Sequence, residues 1–541
     1  MSEAGESFTP ALTSVARHAL APRPRPTMRL AATAAAVVVL AACSSEPEDA
    51  QQSSTTQSAD EQIEATGAPD QMTVVDPSLV TGLAEKTRTE EKGGAQIDVA
   101  YPAIPNAAPL TDQLKRSTNR EVSDFLDANP GAERIAMSWE VTVTGEDIVG
   151  VRLTREETDS RGPRTAHSTY WYDATSGQPA FATELLAGQK QLETLNKLVK
   201  EELADQEGVD TASIYPILRL YDSLGFNPRG ELVVEFDEGQ VAPVDTGRVH
   251  AVISAEDVAP LLSELGKRAQ EEAQVLTADF ALPDTSPSVS PSDSSAGSAS
   301  PSAAGSSTPS EPPASPSPSG TTYGAVPGVL PVNDDEVDCS AADTKCVALT
   351  FDDGPGGGTP HLLDTLAEYD AKATFFVTGG PVREHARIVR REYAEGHEVA
   401  NHTVKHPDLR TLSTAQIRGE LAPVNALVRR ETGYSMELMR PPYGATNGTV
   451  ASVTKDMGLA QIIWSIDTND WRDRDAGIVA DRAVSRAKPG AIILMHDIHS
   501  TTIDAVPSIV EQLSQQGYTM VTISELLGDT DPGKRYFKAG D

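Results

Sequence analysis

Cysteine is nearly absent from this chain, with three residues in 541, which excludes the disulfide-dense scaffolds of small secreted domains. Positive charge is also in short supply. There are 44 Lys and Arg against 79 Asp and Glu, a formal net charge of -35, so the chain has no basic footprint for nucleic acid. Most of the acidic excess lies before residue 339, and the remainder is better balanced. Long apolar runs are missing too. The segment Leu30–Ala42 falls short of the roughly 20 residues a permanent membrane helix needs. No Gly-x-Ser-x-Gly elbow occurs, so a serine hydrolase would lack its nucleophile. Gly356-Gly357-Gly358 has no following Gly-Lys-Ser/Thr and does not read as a phosphate cradle.

What is present is segmented. Leu30–Ala42 follows Arg29 and ends in Leu40-Ala41-Ala42-Cys43, the length and flanks of a secretory signal. A buried core helix is the competing reading, disfavoured by the acidic, polar sequence that follows. Leu-Ala-Ala-Cys resembles a bacterial lipobox, which implies lipidation of Cys43 and an anchor on the outer face of the cell membrane. Residues 1–27 read as an n-region or as a start-site artefact ahead of Met28. Residues 28–42 are then the signal peptide, and 43–72 a disordered tether.

From residue 73 to 282 the chain reads as a separate α+β domain. Met137–Val143 and Ile148–Leu153 read as strands around the turn Gly145-Glu146-Asp147, and Ser168–Asp173 as another. Leu192–Leu203 and Val258–Ala273 have helical spacing. No catalytic cluster stands out, and His167 and His250 read as isolated surface or structural residues. Residues 283–336 form a linker: between 285 and 320 there are 15 Ser and 8 Pro, too few apolar groups for a core. A coil of 36 such residues spans roughly 35 Å, or about 110 Å if extended as polyproline, so its expected role is reach.

The last part, 337–541, alternates strands and helices. Strands are expected at 346–351, 373–377, 397–401, 436–440, 461–466, 491–495 and 519–523, with helices between them, one opened by a Ser413/Gln416 capping box. This pattern predicts an α/β fold, a distorted and incomplete (β/α) barrel of about seven parallel strands. Asp352, Asp353, His402, His406, Arg440, Asp467, Asp470, Trp471, His496 and Asp497 all follow the carboxyl ends of these strands, the end that carries chemistry in such barrels.

Two neighbouring carboxylates repel unless a cation or a shared proton offsets them. His402-Thr-Val-Lys-His406 places two imidazoles at i and i+4, on one side of a helical turn. With Asp353 they make a three-residue ligand set for a catalytic metal; a solvent-exposed His pair is the bland alternative. Two His and one Asp suit zinc best and admit cobalt, nickel or manganese. Asp352 is then free to act as general base, and Arg440 to keep it ionised, unless Arg440 only makes a surface ion pair. Pro441-Pro442 stiffens a loop that suits the Tyr443 N–H as an oxyanion donor. His496, at the end of an apolar strand, is a structural residue or the general acid, and Asp470 nearby would keep it protonated. His361, His385, His397 and His499 read as surface or structural, with His499 nearest the cleft. Cys339 and Cys346 are either two free thiols or, in an exported protein, a small disulfide loop.

Taken together, Thr-Phe-Asp352-Asp353-Gly-Pro, His402-Thr-x-x-His406, Arg440-Pro-Pro-Tyr443, Asp467-x-x-Asp470-Trp471 and Leu494-x-His496 resemble the five motifs of the NodB-homology polysaccharide deacetylases, carbohydrate esterase family 4. That resemblance implies metal-dependent removal of N-acetyl groups from a glycan. It makes Asp352 the base, Asp353, His402 and His406 the metal ligands, and His496 the acid. Tyr443 would supply the oxyanion N–H, and Arg440 and Asp470 would tune Asp352 and His496. Trp471 and Leu494 would shape the acetyl pocket. The N-terminal domain resembles the extracellular domain of a lysozyme-sensing anti-sigma factor and of some Bacillus peptidoglycan deacetylases. This implies a wall-facing module that binds glycan or lysozyme. The expected function is therefore deacetylation of cell-wall peptidoglycan by a lipid-anchored enzyme. The alternatives are a surface sensor or scaffold, or a deacetylase of chitooligosaccharide or xylan.

Overall fold

A computed structural model describes residues 62–283, except 66 and 278, and residues 337–541, except 342. The expected leader, Cys43, the tether up to residue 61 and nearly all of the linker lie outside the described residues; the last part of the expected tether is instead ordered, with Gln62–Glu64 paired to Val275–Thr277 and Met72 buried. Among the described residues, no helix is long and apolar enough to cross a membrane.

The N-terminal domain is built on a six-stranded sheet, in order Ala84–Lys92, Ala95–Ala103, Arg134–Gly145, Ile148–Asp159, Gly162–Asp173 and Gln178–Phe181. Its neighbours are antiparallel except Ala95–Ala103 and Arg134–Gly145, which run parallel. The helix Ala108–Ala128 makes that crossover, as parallel strands require. The meander from 134 to 173 matches the strands and turn read in the sequence. The first two strands and the crossover helix did not stand out there. Ala84–Lys92 is almost wholly exposed and carries no apolar alternation. The single helix expected over Val258–Ala273 is instead Ala255–Val258, a short turn Ala259–Leu261 and the helix Glu264–Glu272. Pro260 interrupts the first, and the Ser263 hydroxyl caps the last by accepting from the Gly266 N–H at 3.1 Å.

The C-terminal domain is a curled parallel sheet. Its strand order is Ile466–Asp467, Ala491–His496, Lys345–Asp352, Ala373–Val377, Glu398–Asn401, Leu438–Met439, Ala460–Ile462 and Arg535–Tyr536, with Tyr518–Met520 paired to the start of Lys345–Asp352. Every one of these pairings is parallel. The strand expected at 461–466 is split in two: the Ile463 N–H bonds to the Tyr536 carbonyl, while the Ser465 N–H bonds to the Ile492 carbonyl. This segment turns the sheet back toward its other edge. The result is the distorted, incomplete barrel that the alternation predicts. Phe351, Phe375, Ile493 and Met495 fill the buried core beneath the helices. Cys339 and Cys346 are joined in a disulfide just as the first barrel strand begins.

The two domains touch. The helix Thr414–Thr432 of the barrel packs on Ala108–Ala128. Arg429 grips Asp124 with two hydrogen bonds of 2.8 Å, and Arg430 grips Glu157 at 2.9 and 2.7 Å. The linker expected to supply reach therefore joins parts that are in contact.

Candidate active site

Because the ladder is parallel, the strand carboxyl ends gather at one rim. Asp352 ends its strand in direct register with His496, the end of the neighbouring strand. In a regular strand Asp353 would point away from the face that Asp352 occupies. Asp353 instead takes a φ of 75°, a left-handed conformation uncommon outside glycine. Its carboxylate swings into the same cleft. Asp353 Oδ1 lies 3.6 Å from Nε2 of both His402 and His406, and Asp352 Oδ2 lies 3.6 Å from His402 Nε2.

The two imidazoles do not share the helical turn that their spacing predicts. They flank a loop after Glu398–Asn401 in which Thr403 and His406 have φ of 72° and 55°. Side chains have taken the backbone donors a helix would use. Glu420 accepts the Val404 and Lys405 N–H groups at 3.1 and 2.9 Å. Asn401 Oδ1 accepts that of Thr403 at 2.8 Å, and Thr403 Oγ1 accepts that of His406 at 3.0 Å. The rings still meet, with centroids 4.9 Å apart.

The ligand atoms of Asp353, His402 and His406 all lie within 4.8 Å of one another. His402 donates its Nδ1 hydrogen to the Arg440 carbonyl at 2.7 Å, which leaves the Nε2 lone pair facing Asp353. Burial holds the His402 imidazole down to about 3, against the pull of the Asp353 charge. It is therefore neutral near pH 7, the form in which histidine binds metal. One carboxylate and two imidazole nitrogens, with one of the rings oriented from behind, fit a divalent ion such as zinc.

Asp352 is buried beside this cluster. Burial raises its pKa above the usual carboxylate value, and the Arg440 and His496 charges oppose the rise. Arg440 is itself fully buried. Its Nη1 donates to Asp352 Oδ1 at 2.6 Å and to Thr350 Oγ1 at 2.9 Å, and Nε and Nη2 donate to the Ile462 and Ile463 carbonyls, each at 3.1 Å. The guanidinium lies 4.0 Å above the Phe376 ring. A group so fully partnered is a fixed part of the cleft and not a surface ion pair.

His496 Nδ1 donates to Asp470 Oδ1 at 2.9 Å, and the His496 N–H donates to Asp470 Oδ2 at 2.7 Å. Burial pulls this imidazole down. The Asp470 hydrogen bond and the charges of Asp352, Asp470 and Asp353 outweigh it and push His496 up to about 9. Thr502 Oγ1, at 2.7 Å, and the Trp471 N–H, at 2.9 Å, hold Asp470 in turn.

At the rim, Tyr443 and Trp471 are 68% and 49% exposed, large apolar surfaces left open to a ligand. Tyr443 occupies the turn Pro442–Gly444 with φ of 61°, and its ring stands edge-on to His406 at 4.6 Å. Leu494, two residues before His496 on the same strand face, is buried. Of the outlying histidines, His397 is buried and accepts the Ala373 N–H at 3.2 Å, a structural role. The His499 ring lies 5.8 Å from that of His496.

Of three supporting groups, Thr502 escaped the sequence reading, while Thr350, in the first motif, and Asp497, at a strand end, stood in it without a role. Asp497 is buried and accepts a short hydrogen bond from Thr359 Oγ1, which itself accepts the Gly356 N–H at 2.8 Å. Burial pushes Asp497 up to about 6, against that hydrogen bond. It lies under the loop that follows Asp353, so a Cβ at Gly354 would stand 2.2 Å from Asp497 Oδ1. Its place directly after His496 is a usable signal. Thr350 opens the first motif; for Thr502 the sequence offers no signal.

A family model described as polysaccharide deacetylase matches residues 340–462. Over 203 residues the chain is 45% identical to the Listeria monocytogenes peptidoglycan-N-acetylglucosamine deacetylase PgdA, covering 37% of this chain and 43% of that protein. It is 40% identical over 183 residues to the Bacillus subtilis peptidoglycan-N-acetylmuramic acid deacetylase PdaC, covering 34% of this chain and 38% of that protein. It is 36% identical over 204 residues to a chitooligosaccharide deacetylase of Rhizobium leguminosarum, covering 35% of this chain and 94% of that protein. The chain thus spans less than half the length of the first two of these proteins.

Proposed function

Because this chain belongs to the polysaccharide deacetylase family, we propose that it hydrolyses N-acetyl groups on cell-wall glycan, with peptidoglycan amino sugars as the substrate. The observation that carries the reading is the convergence of Asp352, Asp353, His402, His406 and His496 at one rim of a parallel sheet, with a separate buried partner for the base and for the acid.

Asp353, His402 and His406 would hold a divalent ion, zinc by preference; when bound, such an ion polarises the acetyl carbonyl and makes water a better nucleophile at neutral pH. Asp352 takes the proton of the attacking water as general base. Arg440 keeps it ionised and aimed, and the peptide N–H of Tyr443 receives the charge that develops on the acetyl oxygen. His496, protonated and oriented by Asp470, gives its proton to the departing amine. Trp471 and Leu494 frame the acetyl group, and the exposed faces of Trp471 and Tyr443 receive the sugar. The relatives named for peptidoglycan favour that substrate, and the leader and Cys43 favour a lipid-anchored enzyme facing the wall. Residues 73–282 would face the same wall and bind glycan there.

Acetate release from purified peptidoglycan tests the reaction. Asp353→Ala and His402→Ala should abolish it, and wild-type rates in both would show the metal site to be wrong. Mass spectrometry of the treated muropeptides identifies which sugar has lost its acetyl group.

A further inference from the structure

The loop that carries His402 and His406 has little support of its own. It contains no regular secondary structure, and Thr403 and His406 hold left-handed backbone angles that surrounding contacts must enforce. Besides the Arg440 carbonyl behind His402 and Tyr443 against His406, those contacts come from two helices, and both helices are held by the N-terminal domain.

The first is Thr414–Thr432. Its Glu420 accepts the Val404 and Lys405 N–H groups. Its Leu421 carbonyl and Asn425 Oδ1 accept both hydrogens of Asn401 Nδ2 at 2.8 and 2.7 Å, and Asn401 in turn accepts the Thr403 N–H. Nine residues on, roughly 14 Å along the helix, Arg429 and Arg430 are clamped bidentately by Asp124 and Glu157 of the other domain. Arg219 of that domain also donates to the Arg430 carbonyl at 3.1 Å. The second is Gly379–Glu384. The Gly379 N–H donates to the Thr403 carbonyl at 3.2 Å, and Arg383 Nη2 donates to the Ala128 carbonyl of the other domain at 2.9 Å. Asp124 and Glu157 are buried in this contact; separating the domains would take the barrel arginine from each, leaving Glu157 only Arg155 and Arg164 of its own domain, at 2.8 and 3.7 Å.

We propose that the N-terminal domain is a positioning element for the metal-ligand loop. By clamping the far ends of two helices, it holds Thr403–His406 in the geometry in which both imidazoles face Asp353. The proposal rests on the metal-site reading above, and it gives residues 73–282 a role in the barrel's own chemistry besides any binding of wall. The fit is one of charge as well as shape: an arginine face on the barrel meets the acidic part of the chain.

The test uses the full chain with Arg429→Asp, the swap Arg429→Asp/Asp124→Arg, and the milder Arg383→Ala. Zinc affinity is measured by competition with a chromophoric chelator, and hydrogen exchange is followed at 402–406. Turnover is measured on a short soluble chitooligosaccharide, so that wall binding does not enter. Loss of outer-sphere support to a metal ligand costs about tenfold or more in affinity. We expect that weakening, with faster loop exchange, in Arg429→Asp, a smaller effect in Arg383→Ala, and recovery in the swap. Zinc affinity and loop exchange within twofold of wild type in both Arg429→Asp and Arg383→Ala would overturn the coupling. Should Arg429→Asp fail to fold, Arg383→Ala decides in the same way. If the wild type binds no zinc, the metal reading falls, and loop exchange alone decides: acceleration supports the coupling and no change refutes it.

Discussion

His402 donates its Nδ1 hydrogen to the main-chain carbonyl of Arg440, 2.7 Å away, while the guanidinium of the same arginine grips Asp352 at 2.6 Å. One residue thus orients the His402 imidazole with its backbone and the Asp352 carboxylate with its side chain. The Asp352 and His402 positions are mechanically linked, and a change at Arg440 is felt by both.

Removing that arginine takes the main counter-charge from a buried carboxylate and leaves it the charge of His496. Arg440→Met should destabilise the protein by about 3–5 kcal/mol, read as the shift in urea unfolding free energy. The acid limb of the activity profile should move to higher pH, because Asp352 loses the largest of the charges that oppose its burial. A variant within about 1 kcal/mol of wild type would show that the pair contributes little.

The pH dependence of His496 has a definite sign. Its pKa is raised from 6.5 to about 9, so the stabilisation from its charged form is complete below pH 6.5 and is lost as pH rises through about 9. The same deprotonation would disarm His496 as the proposed general acid, so kcat/KM should fall on the alkaline side. A bound cation offsets the Asp353 charge and moves that limb below 9. Asp470→Asn removes a carboxylate that raises the pKa, and the limb should move down by about one unit or more. An alkaline limb unmoved in that variant would assign it to another group.

Metal and base should be separable. Chelation should abolish acetate release, and added zinc should restore it. Asp352→Asn should retain bound zinc, as measured by elemental analysis, while losing about 10²–10⁴-fold in rate. Loss of zinc from that variant would make Asp352 a ligand instead.

At Gly354 a Cβ would stand 2.2 Å and 2.3 Å from the two carboxylate oxygens of buried Asp497. Gly354→Ala should cost about 1–3 kcal/mol and lower zinc affinity, because the displaced loop carries Asp353. Thermal unfolding and metal titration read the two effects. Gly354→Ala/Asp497→Gly should recover part of both, a coupling that a double-mutant cycle isolates.

The Cys339–Cys346 disulfide closes a loop with a sequence separation of 7. Chain-entropy reasoning gives it about 2.5 kcal/mol. Replacing both cysteines by serine should lower the unfolding free energy by that order without changing kcat. A loss of kcat at unchanged stability would point to a role in shaping the strand that ends at Asp352.

The order of strands and helices in the C-terminal part was legible because a parallel sheet covered by helices leaves two clear periodicities and short breaks. The rim residues were legible for the same reason: they are the polar groups at the ends of buried apolar runs. His402 and His406 illustrate the limit. Their spacing predicted proximity and their proximity is found, but on a loop and not a helical turn. The side chains that redirect the backbone there, Asn401, Thr403 and above all Glu420, include one fourteen residues downstream of His406.

By itself the sequence determined which side chains are available and on which strand ends they stand, since apolar runs, turns and strand order are local properties of the chain. Only the tertiary structure decided how they act together. The left-handed flip at Asp353, the full set of partners around buried Arg440, and the clamp of Asp124 and Glu157 on the helix behind the histidines depend on contacts between residues far apart in the chain. Distance, burial and the resulting electrostatics exist only once those contacts have formed.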